Sequence, residues 1–248
     1  MNVLALDTAT ADLVVGLVHV EADSTISIRA EENLTDSRAH NEMLVPTVQR
    51  ILAESSLEFS ALDAIVVGIG PGPFTGLRVG MATAAAFGDA LSIPVHGVCT
   101  HDAIAHRISN DEQLKLEEFV VATDARRKEI YWSSYRNNTR IAGPEVCKPA
   151  LLGQPAAESD HTLGHLTAIS IPERLQDTLS TQPDTVLHYG PTAASLVGAL
   201  LGTGCDLKTS PGPLEPLYLR RPDVKEPAAK PKSHAIPDYT PPTQGQSC

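Results

Sequence analysis

The stretch G-I-G-P-G-P-F-T-G-L-R-V-G, residues 68–80, decides how this chain is read. A strongly apolar strand candidate, Ala64 to Ile69, runs into it, and a long run of small, almost uncharged residues, Thr75 to Leu91, leaves it. Strand, glycine-rich turn and helix start is a backbone geometry with two uses. It brings amides close to an anionic ligand, or it lets a helix pack tightly on a sheet. Which use applies decides the function.

Outward from that segment, the first residues form three strand candidates. Val3 to Leu6 is apolar and closed by Asp7, Leu13 to Val18 is a second apolar run, and Ile26 and Ile28 alternate in a third. They read as a meander beginning at the first residue. Leu44, Val48, Ile51 and Leu52 recur at helical spacing, which predicts an amphipathic helix over about 41–55, with Pro46 in its first turn or kinking it. Phe119 to Thr123 is again an apolar run closed by an Asp, Asp124, and a strand with alternating Ile130, Trp132 and Ser134 follows. Asp7 and Asp124 stand 117 positions apart, and Gly70-Pro71 and Gly190-Pro191 stand 120 apart. Two landmarks at nearly one offset imply an internal duplication. The expected domains are therefore 1–110, an N-terminal lobe; 111–221, a smaller C-terminal lobe; and 222–248, a proline-rich tail too poor in apolar groups to order itself.

The totals narrow the partners. Of 248 residues, 42% are hydrophobic and the formal charge is −11, so the chain lacks the basic balance of a protein that grips RNA alone. The small basic clusters Arg126-Arg127-Lys128 and Arg220-Arg221 leave room for RNA contact inside an assembly. Cys99, Cys147, Cys205 and Cys248 are scattered without a C-x-x-C pair, against a disulfide framework or a structural zinc site. No basic and apolar leader opens the chain and no run of membrane-spanning length is present, so a cytoplasmic location is the expectation.

Five segments carry a resemblance. L-A-L-D-T-A-T at 4–10, R-A-H-N-E-M-L-V-P at 38–46, G-P-G-P-F-T-G-L-R-V-G at 70–80, D-A-R-R-K-E-I-Y at 124–131 and P-L-Y-L-R at 216–220 are similar to the TsaB family, in the family's order. The G-P-G-x-F-T-G-L-R segment is the specific one; Pro73 stands where the family has Ser, which stiffens the turn and removes a hydroxyl. The resemblance implies an α/β chain with the duplicated, two-lobed, actin-like ATPase fold (RNase H-like lobes). It also implies an accessory, non-catalytic role in making N6-threonylcarbamoyladenosine at position 37 of tRNA. The implied partners are a TsaD-type catalytic subunit and a TsaE-type ATPase, or a second copy of the chain in a homodimer, with tRNA met only within the complex.

In this fold Asp7, Thr8, Thr10, Gly70, Gly72 and Asp124 sit where a nucleotide's phosphates and metal would lie. The plainer reading is a turn fixed by Asp and Thr hydrogen bonds. After Asp124 no glycine lets backbone approach a phosphate, so these six are read as a vestigial nucleotide site and no cofactor is expected. TsaD, by the same resemblance, holds its metal through H-x-x-x-H after the glycine-rich segment. Here Gly97 replaces the first ligand, and His96 and His101 are five apart. His40 has no histidine four residues on, and His161 and His165 lack an intervening Glu as in H-E-x-x-H. No metal site is expected. Arg78 is expected in an ion pair or a cap contact rather than on an anion.

On a helical wheel, Leu77, Met81, Ala84, Gly88 and Leu91 share one face of the 75–91 helix, and Val79, Ala82, Thr83, Ala86 and Ala90 share the opposite one. A helix apolar nearly all round should be covered on both sides. Either the neighbouring helix covers the second face through Leu44, Val48 and Ile51, or the face is left for a partner. The resemblance favours the partner. The expected interface is then Val79, Ala82, Thr83, Ala86 and Ala90, with Met43, Pro46 and Arg50 beside them. The rival readings are a small ATPase or kinase using Asp7 and Asp124 across the cleft, and a metallopeptidase-like protein.

Overall fold

The structure is a computed structural model that describes residues 1–35, 40–152, 167–180 and 182–219. The tail from residue 222, expected to be disordered, lies outside the described residues, as do Arg220, Arg221, His161 and His165. The first lobe runs β1 (Asn2–Asp7), β2 (Leu13–Val20), β3 (Ile26–Leu34), α1 (His40–Glu54), β4 (Ala64–Gly68), α2 (Phe74–Leu91), β5 (Val95–Val98) and α3 (Thr100–Ser109). The second repeats the plan with β6 (Glu118–Asp124), β7 (Ile130–Arg136), β8 (Thr139–Cys147), β9 (Ala168–Ser170), α4 (Glu173–Gln176), β10 (Thr185–Leu187) and α5 (Ala193–Leu201).

The two five-stranded sheets have the orders β3-β2-β1-β4-β5 and β10-β9-β6-β7-β8, one order read from opposite ends. In each, the first strand pairs antiparallel with the second and parallel with the fourth. This is the duplicated actin-like, RNase H-like plan. One landmark used to infer it is not equivalent. Gly70-Pro71 follows β4, whose counterpart is β9; Gly190-Pro191 follows β10, the counterpart of β5. The second lobe is shorter between its first and fourth strands, which brings a later Gly-Pro to nearly the same offset. The Asp7–Asp124 match does hold, since each closes the first strand of its lobe.

Strand alternation divides the first sheet. Leu4, Leu6, Leu13, Val15, Ile65 and Val67 face α1 and α2, against Leu44, Val48, Ile51, Met81 and Ala84. Val3, Ala5, Val14, Val18 and Val66 face the other way, against Ala193, Leu196, Val197 and Leu200 of α5. In return Ile104, Ala105 and Ile108 of α3 cover Phe119, Val121, Tyr135 and Ala168 of the second sheet. The last helix of each lobe thus roofs the sheet of the other. Pro46 lies inside α1 rather than in its first turn, where it withholds one backbone donor.

Candidate functional site

The glycine-rich segment packs a helix on a strand end. A methyl group on Gly72 would lie 2.2 Å from the Ala9 carbonyl oxygen, one on Gly76 would lie 2.4 Å from the Thr8 carbonyl oxygen, and one on Gly80 would lie 2.3 Å from Thr8 Oγ1. Gly76 and Gly80 are four apart on α2 and Gly72 stands just before its N-cap, so bare backbone at the helix entrance and a bare stripe on its first turns lie directly against the turn after β1. Thr8 Oγ1 donates to the Gly76 carbonyl at 2.7 Å. Gly70, at φ +102°, needs glycine for its backbone alone, and its carbonyl accepts from the Thr100 amide at 2.7 Å. Pro73 is the N-cap of α2 and supplies no side-chain cap, as its missing hydroxyl dictates.

Asp7 is fully buried behind this turn. Its Oδ1 accepts from the Ala9 amide at 2.7 Å and its Oδ2 from Thr100 Oγ1 at 2.7 Å, and burial raises its carboxyl from 3.8 to about 6. The approach depends on Gly68, where a Cβ would stand 1.9 Å from Asp7 Oδ2. Asp124 is equally engaged. Its Oδ1 accepts from the Arg126 amide at 2.7 Å, while its Oδ2 takes an Arg174 guanidinium nitrogen at 2.7 Å and lies 3.6 Å from that of Arg126. Arg174 comes from α4, fifty residues on, and no local pattern in the sequence points to it.

A cleft of about 130 Å³ lies between the lobes, lined among others by Thr10, Pro73, Asp124, Arg126, Arg174 and Tyr189. That is below the ~300–1,000 Å³ typical of small-molecule pockets. Of the six expected nucleotide-site residues, Thr10 and Asp124 line it; Asp7, Thr8, Gly70 and Gly72 are taken up in the packing behind it. The residues do not fit a metal–nucleotide pair, since Asp7 is fully buried in the packing and the Asp124 carboxylate already faces the guanidinium groups of Arg174 and Arg126.

The histidines are separately employed. His96 on β5 meets the Leu207 carbonyl at 3.1 Å and Cys205 Sγ at 3.5 Å. His101 on α3 is fully buried, with Ser133 Oγ at 2.8 Å and Thr123 Oγ1 at 2.9 Å, and burial pushes it down to about 3, so it is neutral. A side chain at Gly97 would strike Ile69 Cγ2 at 2.7 Å, which leaves no room for a ligand there. No group of three or more metal-ligating side chains occurs among the described residues. Cys99, beside Asp102, is pushed up to about 12 mainly by burial.

The α2 face expected to await a partner is open. Ala82, Ala86 and Ala90 are exposed and Val79 and Thr83 half-buried, while Leu44, Val48 and Ile51 are spent on the sheet side. Met43 is half-buried and Pro46 exposed; Arg50 is exposed but bonded to Glu32 of β3 through Nε at 2.8 Å. Arg78 makes neither of the contacts expected of it among the described residues. Its guanidinium stacks 3.8 Å from the centre of the Phe74 ring and its Nε donates to Tyr218 Oη at 3.1 Å. The Phe74 and Tyr218 rings lie 5.0 Å apart, each about 40% exposed, at the N-terminal end of α2. The sequence pattern missed this cluster because Tyr218 comes 140 residues after Arg78.

Comparison with known proteins adds the lineage. Residues 30–194 match the family model described as TsaD, tRNA N6-adenosine threonylcarbamoyltransferase. An uncharacterized protein of Mycobacterium leprae is 46% identical over 96% of this chain, which spans 60% of that relative's length. The Haemophilus influenzae tRNA threonylcarbamoyladenosine biosynthesis protein TsaB is 34% identical over 60% of this chain and 65% of its own. The solved structure of YeaZ from Pseudomonas aeruginosa superposes with a TM-score of 0.66 at 25% identity, over 88% of this chain and all of that one. Fold, motif order and relatives agree: the chain belongs to the TsaD, tRNA N6-adenosine threonylcarbamoyltransferase, family and within it is of the TsaB/YeaZ type.

Proposed function

We propose that this chain is the accessory, non-catalytic subunit of a tRNA threonylcarbamoyladenosine synthesis complex, acting at position 37 of tRNA in the cytoplasm. It docks a TsaD-type catalytic subunit and holds it in its active arrangement, with a TsaE-type ATPase as third component. A homodimer through the same face is the alternative association. The relatives' names support the pathway. The observation that carries the docking role is the contrast between two surfaces. The outer face of α2 is small, apolar and exposed at Ala82, Ala86 and Ala90, whereas Asp124 on the cleft wall and Asp7 behind it are bonded within the chain.

A stable interface needs on the order of 800 Å² per partner, more than one helix face. Phe74 and Tyr218 at the head of α2, and Met43, Pro46 and Arg50 of α1 alongside, extend it. Met-, Tyr- and Arg-containing patches are the composition that interface cores favour. The test is reconstitution of tRNA modification from the TsaD-type and TsaE-type proteins of the same cell, with and without this chain. Modification that needs this chain, together with a stable complex with the TsaD-type subunit, is the expected result. Full activity without it overturns the proposal.

A further inference from the structure

The actin-like plan places a divalent cation and phosphates between the strand-end carboxylates of its two lobes, and this chain keeps both carboxylates, Asp7 sealed in the packing and Asp124 on the wall of the cleft. How the second of them is neutralised is the informative point. α4 is the counterpart of α2, the helix that follows the fourth strand of its lobe. From it Arg174 reaches back across the sheet end and sets its guanidinium 2.7 Å from Asp124 Oδ2, on the wall of the cleft. Arg126 adds a second guanidinium nitrogen at 3.6 Å and its backbone amide at 2.7 Å to Oδ1.

The turn that carries Arg126 is also unusual. Arg126, Arg127 and Lys128 have φ of 63°, 55° and 63°, three consecutive left-handed residues without a glycine. Such a conformation is unfavourable for side chains with a Cβ, and the Asp124 carboxylate is one of the groups that pin it. A cation approaching the oxygens of Asp124 would meet two guanidinium groups already there, and a phosphate would meet the carboxylate between them.

We infer that Arg174 takes, with its guanidinium, the place of the divalent cation of this fold, so that the cleft is closed to metal–phosphate ligands by a charge the chain itself supplies. The Arg174 side chain is half exposed, so the pair's worth to stability is small. Its effect is on what the cleft admits. The inference stands apart from the docking proposal, because it is read from metal binding by the chain alone.

The experiment uses the full chain and Mn²⁺, with free ion measured by electron paramagnetic resonance. The wild type is expected to bind no Mn²⁺ at the cleft at millimolar concentrations. Arg174→Ala should raise Mn²⁺ affinity roughly tenfold or more, and Asp124→Asn added to it should abolish the gain. Arg174→Lys, which restores a positive charge, should exclude Mn²⁺ again. If Arg174→Ala does not fold by circular dichroism, Arg174→Gln carries the same test with more of the side chain kept. Asp124-dependent Mn²⁺ binding by the wild type would overturn the inference, and so would a folded Arg174→Ala or Arg174→Gln protein that gains none.

Discussion

Gly16 in β2 and Ala193 at the start of α5 approach so closely that a methyl group added to Gly16 would lie 2.2 Å from the Ala193 methyl. The contact seats the C-terminal helix on the N-terminal sheet. A second close approach fixes the other side of α5, where a methyl on Gly198 would lie 2.3 Å from His106 Cε1 of α3. The two differ in what can give way. Ala193 has no rotatable side chain, whereas the His106 ring can swing. Gly16→Ala should therefore cost more, on the order of 2–3 kcal/mol, against about 1 kcal/mol for Gly198→Ala. Urea unfolding of both, with His106→Ala added to relieve the second, checks the ranking.

Two buried groups pull stability in opposite directions with pH. Asp7, raised from 3.8 to about 6, makes the fold more stable as pH falls from 6 towards 4, because the fold binds its proton more tightly than the unfolded chain does. His101, lowered from 6.5 to about 3, makes the fold less stable as pH falls below 6.5, because only the unfolded chain takes up that proton. Each slope is about 1.4 kcal/mol per pH unit, and between pH 4 and 6 they largely cancel. Asp7→Asn should expose the His101 slope, with stability relative to wild type falling steadily below pH 6. His101→Asn should do the reverse. Parallel wild-type and Asp7→Asn curves would contradict the assignment.

Ala86 is exposed midway along the open face of α2, so Ala86→Glu should leave the melting temperature within a few degrees of wild type. Co-purification with the TsaD-type subunit should nevertheless be lost, since a buried, unpaired carboxylate at an interface is costly. Retained complex formation would point to another surface.

Lys128 carries a side chain at φ 63°, where glycine is at ease and a β-branched residue is not. Lys128→Gly should stabilise the protein by up to about 1 kcal/mol and Lys128→Val should destabilise it by about as much or more. Thermal melts of the pair decide it, and equal melting temperatures would count against the left-handed turn.

Much of the fold was legible because it is written locally. The apolar runs closed by Asp7 and Asp124 each announce a first strand, and the wheel of residues 75–91 separates Leu77, Met81 and Ala84 from Ala82, Ala86 and Ala90 without reference to the rest of the chain. What stayed hidden is non-local. Arg174 beside Asp124 and Tyr218 beside Arg78 are joined only by the completed fold, as are Thr123 and Ser133 around His101. The purpose of the glycines was also undecidable from sequence. A bare Cα serves a phosphate or a neighbouring strand equally well, and only the position of Thr8 and Ala9 shows which.

The trade of roofing helices has a consequence during synthesis. Val3, Ala5, Val14 and Val18 leave the ribosome early, but the Leu196 and Val197 that shield them are translated about 100 residues after β5, on the order of ten seconds later at ~5–20 residues per second. Until then one greasy side of the nascent sheet stands bare, so a chain stalled or cut before α5 should be a client for chaperones rather than a half-size protein.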